Sequence, residues 1–346
     1  MISFNPLFDK LSTIVHRPVH SILTQSDDRW EVAQADDNHV PPAVFLPGQL
    51  ERIEDTEFAP VDAVIRSFRG DFVVHESPTY AHRFRDVDLV DGVIYSKQGR
   101  HHLRARQSRS ISYNKPTEAM SGVMYESWIG NRWFGSWLRE DCLTYLLTEP
   151  FGQPVTTASE PSGHVPRYES LLGMAPKRIT NVHFDELILF EDLPNNSGKA
   201  DRARDARKRL LAGKTIEPLP GVFILRGQSG DARVLENERQ IAEKLSDTYG
   251  FHILDPASAS VDQIALICGQ ANIIAGVEGS HLAHGLVMMP PHATLFVIQP
   301  PSRTVAVLKV VTDRQDQRYA FVVGEGTQHK FRVDWEDIRR TLDLLG

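Results

Sequence analysis

Apolar positions follow two regimes along the chain. Up to about residue 80 they come in short runs, such as 43–46 and 72–75, separated by proline-rich and acidic segments, which predicts a strand-rich opening. In residues 127–147 (SWIGNRWFGSWLREDCLTYLL), Trp133, Trp137, Leu138, Cys142, Tyr145 and Leu146 recur at helical spacing behind a glycine-containing turn, so an amphipathic helix is expected. A loop with three prolines follows at 149–163, then a helix-like stretch at 168–174, then DELILF at 185–190, an apolar run expected of a buried strand. Residues 199–210 (KADRARDARKRL) hold six basic residues and two aspartates. They read as a solvated helix with an Asp205–Arg209 pair at i,i+4, in preference to an anion-binding patch, and as a connector. Two prolines within 213–221 set a domain boundary near residue 216.

Beyond that boundary the alternation is cleaner. Strands are expected at 222–225, 251–254, 272–277 and 294–298, and helices at 236–248, 261–270, 280–289 and 335–345. Such alternation implies βαβ crossovers and a parallel sheet covered on both faces. The division is therefore an α/β domain over residues 1–215 and a Rossmann-like domain over residues 216–346.

Composition narrows the function classes. The 346 residues suggest about two domains, and 41% hydrophobic with 24% charged residues is an ordinary globular balance. With 38 basic against 45 acidic residues the net charge is −7, which argues against a dedicated nucleic-acid binder. Cys142 and Cys268 stand far apart in apolar surroundings, so neither a disulfide framework nor a zinc finger is expected and a cytoplasmic setting fits. Asn5, Pro6, Asp9 and Lys10 interrupt any signal-peptide pattern. Residues 279–302 lack Asp, Glu, Lys and Arg, but His281, His284, His292 and four prolines make them a poor membrane span. Membrane contact, if present, is expected to be peripheral, at the inner membrane.

Several short motifs fail on inspection. Gly213-Lys214-Thr215 lacks the earlier glycine of a P-loop, Gly324-Glu325-Gly326 lacks the third glycine of a dinucleotide fingerprint, and Gly227-Gln228-Ser229 is closed by Asp231 where a nucleophile elbow needs glycine. Asp86-Val87-Asp88 has the DxD shape that can hold a divalent metal on a nucleotide diphosphate, but a tripeptide arises readily by chance. The strand ending in Gly276-Val277-Glu278-Gly279-Ser280 says more. Ligands of open parallel sheets bind at the carboxyl ends of strands, where helix N-termini offer free amides to phosphate. Glu278, His281 and His284 repeat every three residues there and, as a set, favour a ligand site over an ordinary polar helix face. Three ligands from one helix do not make the HExxH geometry, so a metal is not the expected ligand. Arg226 and Arg233 fall near the same edge, and a guanidinium fork suits phosphate oxygens.

Arg226, the run Arg233-Val234-Leu235-Glu236-Asn237-Glu238, Asp262-Gln263-Ile264, the turn from Gly276 through His284, and Pro290 together resemble glycosyltransferase family 61, the capsular-polysaccharide type. Gly130-Asn131-Arg132-Trp133-Phe134-Gly135-Ser136-Trp137-Leu138 resembles that family's Y-G-H-W-L stretch. The chain departs from the pattern at Glu278, which replaces a histidine, at Ser280, which replaces alanine, at His284, which replaces asparagine, and at Ser136, which replaces histidine. The resemblance implies a GT-B arrangement of two Rossmann-like domains facing a central cleft. It also implies inverting, metal-independent transfer from a nucleotide-sugar donor to a glycan or glycolipid acceptor in bacterial surface-polysaccharide synthesis, with no cofactor. In such a transfer a base removes the acceptor proton while positive groups stabilise the departing diphosphate. Asp141 or Glu140 is expected as the base, with Glu278 as the alternative. Arg226, Arg233 and the amides of Gly279, Ser280 and His281 are expected at the diphosphate, with Asn237 in support and His284 nearby. Two other readings stay open: a catalytically silent carbohydrate-binding or scaffold protein, and a metal-dependent transferase or hydrolase using Asp86/Asp88 or the Glu278, His281, His284 set.

Overall fold

The computed structural model describes residues 2–7, 22–97, 99–227 and 233–346. Residues 1, 8–21, 98 and 228–232, with Asp9, Lys10, Gln228, Ser229 and Asp231 among them, lie outside the described residues. The chain divides into two compact units, Met1–Ala35 with Ser77–Pro194, and Asp36–Glu76 with Asn195–Gly346.

The second unit is built on five parallel strands in the order His252–Leu254, Val222–Ile224, Ile273–Val277, Thr294–Gln299, Arg318–Val323. Near-continuous apolar runs are what a strand buried on both faces requires. One alternation, Phe223, Ala275, Val277, Phe296, Ile298 and Val322, packs with Ile241 and Leu245 of helix Glu238–Tyr249 and with Ile338 and Leu342 of helix Trp335–Asp343. The other, Val222, Ile224, Ile274, Leu295, Val297 and Phe321, is buried as well, so both faces are covered. Helix Val261–Cys268 opens with a capping box in which Ser260 and Gln263 bond each other's amides.

Four of these strands stand where the hydrophobic pattern puts them. The fifth, Arg318–Val323, is a further strand outside that set, buried from Tyr319 to Val323, and the helix before it, Val307–Arg314, escapes the pattern because it buries a charge: Lys309 is fully buried and donates to Asp313 at 2.8 Å. The single helix expected over 280–289 is instead two short turns, Ser280–Leu282 and Ala283–Leu286. Pro290 and Pro291 provide no N–H to extend them.

The segment Asp36–Glu76 is more than a strand-rich opening. Asp36–Val40 pairs antiparallel with Phe72–Glu76, and helix Val61–Arg69 lies between them in the chain. Val44 takes the free side of the edge strand: its N–H donates to the Tyr319 carbonyl at 2.8 Å, and its carbonyl accepts from Phe321 N–H at 3.1 Å. Phe68 stacks on Phe321 with ring centroids 4.3 Å apart.

The first unit carries an eight-stranded mixed sheet. Its two long strands, Thr79–Val90 and Val182–Glu191, pair antiparallel. Ala119–Met124, Pro154–Thr156 and Lys177–Arg178 extend the sheet in parallel on one side, and Val93–Tyr95 and Arg100–His102 extend it antiparallel on the other. Phe84, Leu89, Met124, Val155, Phe184 and Leu187 form its core. The amphipathic helix expected over 127–147 is broken into Trp128–Arg132, Phe134–Ser136, a π-helical turn Trp137–Asp141 and Cys142–Tyr145. Trp133 is extended (φ −129°, ψ 124°) and ends the first turn, while the buried polar groups of Arg139 and Asp141 occupy positions a regular apolar stripe would fill.

The basic run forms helix Ser197–Leu211, capped by Asn196, with Arg209 bonded to Asp205 at 2.8 Å. Arg207 is the exception to its solvated character. It donates to the carbonyls of Met288 (2.9 Å), Met289 (3.0 Å) and Gly269 (2.9 Å), so one guanidinium closes the ends of two neighbouring helical segments. Arg207→Ala is expected to cost about 2 kcal/mol, lowering the melting temperature by roughly 5 °C, whereas Arg204→Ala on the exposed face should stay within about 0.5 kcal/mol; calorimetry of the two variants checks the contrast.

Candidate functional site

In a parallel sheet of order 2-1-3-4-5, the connections from the first and third strands leave in opposite directions, and the crevice so formed opens at the strands' carboxyl ends. Here that switch point lies between Val222–Ile224 and Ile273–Val277. Arg226 follows the first strand, Glu278 and Gly279 follow the third, and Arg303 belongs to the turn Pro301–Arg303 beyond the fourth.

These residues converge on one point. Arg226 Nη1 and Arg233 Nη1 each donate to the Glu278 carbonyl at 3.1 Å. The Glu278 carboxylate pairs through Oε2 with Arg233 Nη1 at 3.0 Å and accepts there from Arg303 Nη1 at 3.3 Å. All four side chains are buried. Gly279 makes the approach possible: its φ is +155°, and a Cβ there would lie 1.8 Å from Arg226 Nη1.

Three buried guanidinium groups gather around one buried carboxylate, with the Glu238 and Glu57 carboxylates at the edge of the cluster. Burial first, and the like charge of Arg233 next, bring the Arg226 guanidinium down to about 10, against the pull of Glu278. His281, whose Nδ1 lies 3.5 Å from Arg226 Nη1, is held well below its ordinary range by burial and then by Arg226, His284 and Arg233. It is therefore a neutral imidazole, and its Nε2 is buried without a hydrogen-bond partner among the described residues. Guanidinium groups beside backbone amides at a strand end are groups that can hold an anion.

The surrounding frame is specific. Glu238 accepts from the amides of Arg226 (2.8 Å) and Gly227 (3.2 Å), fixing the turn that aims Arg226, and burial pushes its carboxyl up. Gln299 donates to the Val305 carbonyl at 2.8 Å and accepts from Val305 N–H at 3.2 Å, which shapes the loop bearing Arg303. Glu57 lies 3.5 Å from Arg303 Nε.

A family model for glycosyltransferase 61 matches residues 37–296, three quarters of the chain. The chain belongs to glycosyltransferase family 61. No curated protein matches it. As a family 61 glycosyltransferase it acts on a sugar donor and an acceptor.

Of the residues singled out in the sequence, Arg226, Arg233, Glu278, Gly279 and His281 come together. His284 is buried close enough for its charge to weigh on His281, and Ser280 is half-buried at the start of its short turn. Asn237 has a different place: its amide donates to the Val333 carbonyl at 2.8 Å and accepts from Val333 N–H at 3.3 Å, so it braces the helix start. In the R-x-x-x-N-E motif, then, Arg233 faces the site, Asn237 braces the helix start on Val333, and Glu238 fixes the turn at Arg226. Arg303 was not found from the sequence, because the only local signal is an arginine after two prolines.

Asp141 and Glu140 belong to the first unit. Asp141 is buried and accepts from Ser127 N–H at 3.0 Å and Ser127 Oγ at 2.7 Å; a Cβ at Gly130 would lie 1.8 Å from its Oδ2. Burial pushes its carboxyl well above the usual range, against the Ser127 bonds. Glu140 is half-buried, 3.8 Å from Arg139. Asp86 pairs with Lys97 at 3.2 Å, while Asp88 accepts from Tyr113 at 2.9 Å and lies 2.8 Å from His183. Among the described residues no group of three or more His, Cys, Asp and Glu is arranged to hold a metal ion, and no helix is long and apolar enough to cross a membrane.

Glu278→Ala removes the carboxylate that Arg233 and Arg303 share and should cost about 3 kcal/mol; a melting curve repeated in inorganic pyrophosphate should recover part of that loss, as an anion replaces the missing charge. His281 gives a second expectation. Its imidazole stays neutral in the folded chain while the unfolded chain takes up a proton near pH 6.5, so stability falls as pH drops below about 6.5, by up to ~1.4 kcal/mol per pH unit. Denaturation of wild type and His281→Phe across pH 4.5–7.5 should show this component of the slope disappearing in the variant.

Proposed function

We propose that this glycosyltransferase transfers a sugar from a nucleotide-sugar donor to a hydroxyl of a glycan or glycolipid, with inversion and without a metal, in bacterial surface-polysaccharide synthesis. The observation that carries the reading is the convergence of Arg226, Arg233 and Arg303 on Glu278 at the switch point of the second unit. A departing nucleoside diphosphate needs positive charge where its negative charge grows, and buried guanidinium groups act there with little screening by water. Arginines can fill the part that a divalent cation fills elsewhere.

In this reading Arg226 and Arg233 hold the diphosphate, with the amides of Gly279, Ser280 and His281 beside them. Glu278 orients the arginines; bonded to two of them, it is poorly suited to accept a proton. The base is assigned to Glu140 or Asp141, the former being the more accessible and the latter carrying a carboxyl that burial pushes up. The fold assignment that goes with this reading is GT-B, and the location is the cytoplasm, with peripheral attachment to the inner membrane.

The test is thermal stabilisation by a panel of nucleoside diphosphates and nucleotide sugars, with and without a chelator. One nucleotide at about a hundred times its Kd should add ~2.7 kcal/mol of stability irrespective of chelator, and Arg226→Met should abolish the shift. Stabilisation that vanishes with chelator would refute metal independence, and silence across the whole panel would refute nucleotide binding.

A further inference from the structure

Residues 92–117 contain no aspartate or glutamate, yet Lys97, Arg100, Arg104, Arg106, Arg109 and Lys115 fall among them, in a chain of net charge −7. The middle of this stretch, Arg100–His102, is the terminal strand of the eight-stranded sheet of the first unit. It lies against the turn Trp128–Arg132. The His102 ring meets Trp128 edge-on at 6.3 Å, Arg104 bonds Asn131 Oδ1 and donates to Thr157 Oγ1 at 2.7 Å, and Asn131 donates to the Leu103 carbonyl at 2.9 Å. From within, Asp141 clamps Ser127, which caps the same turn through Gly130 N–H at 3.0 Å.

A turn anchored so firmly still leaves Trp128 and Ile129 exposed, at 39% and 38%. Apolar surface held rigidly toward water has a hydration cost that a ligand would relieve. A flat indole offers its face to the C–H face of a pyranose ring, and its low rotational freedom keeps the ordering cost of binding small. The neighbouring charges select among saccharides. Lys97 pairs with Asp86, and Arg106 lies 3.8 Å from Asp91, but among the described residues the direct side-chain partners of Arg104 are a neutral hydroxyl and a neutral amide, with Glu126 one bond further, behind Thr157. Positive character also shows in His102, held below its ordinary range by burial and then by Arg100 and Arg106.

We propose that Trp128 and His102, with Arg104 beside them, form an acceptor subsite for an acidic saccharide, a glycan bearing uronic-acid carboxylates. This rests on the glycosyl-transfer reading above, and the aromatic face with a basic border is what extends it.

The probe is tetragalacturonate, with maltotetraose as the neutral control, titrated by calorimetry at low and high salt. Tetragalacturonate should bind with an affinity that falls with salt, as expected for charges screened in solution, and more tightly than maltotetraose. Trp128→Ala should weaken it about tenfold and Trp128→Phe much less, while melting temperature and nucleoside-diphosphate stabilisation remain those of wild type. If Trp128→Ala melts early, Trp128→Leu, which keeps apolar bulk without the ring face, serves in its place. Equal binding of both saccharides, binding indifferent to the residue at 128, or no binding of either overturns the proposal, as does Trp128-dependent attachment to phosphatidylglycerol vesicles in place of the saccharide. Failure of the nucleotide panel alongside Trp128-dependent binding of tetragalacturonate would sink the transferase mechanism and leave the saccharide surface standing.

Discussion

A carboxylate buried beside three guanidinium groups is stable only if its geometry is held closely, because charges removed from water must find their partners at short range. Glu278 and Arg226, Arg233 and Arg303 impose that requirement on the second unit. Much of the local structure answers it: Glu238 sets the turn at Arg226, Asn237 ties the following helix to Val333, Gln299 shapes the loop of Arg303, and Gly279 leaves room where any side chain would collide with Arg226. The same frame that keeps the arginines from separating keeps them aimed when an anion arrives. Stability and preorganisation therefore have one origin here.

How much of this could be read from the sequence depended on whether a residue's burial matched its polarity. Strands such as Ile273–Val277 and Thr294–Gln299 are apolar on both faces and announce themselves. Arg226 and Glu278 were accessible too, since a strand followed by a glycine turn fixes where their side chains must lie. The failures share one cause. Lys309 and Asp313 hide a helix by burying a charge pair in it, and Asp141 sits where a continuous helix would place an apolar residue. Arg303 depends on a loop conformation set by Gln299, which no periodicity encodes.

The π-helical turn Trp137–Asp141 gives the first unit a comparable logic. One additional residue in a helical turn re-aims the side chains after it, and such turns persist where a side chain must reach a position a regular helix denies it. Here the carboxylate of Asp141 reaches inward to Ser127, and Gly130 is small because that carboxylate occupies the space its side chain would need. Ser136, one residue before the turn, belongs to the same neighbourhood: Arg139 donates to Ser136 Oγ at 3.3 Å and to the Gly135 carbonyl at 2.9 Å.

The pairing of Val44 with Tyr319 and Phe321 means that the parallel sheet is completed by a segment from near the beginning of the chain. A fragment starting at residue 216 would keep all five strands and still be unfinished, with a long apolar edge open to pairing with another copy of itself. Dissection of this protein into separately folding pieces therefore has to follow the path of the backbone through space, carrying residues 36–76 along with the carboxyl-terminal half, and a single cut in the sequence cannot achieve it.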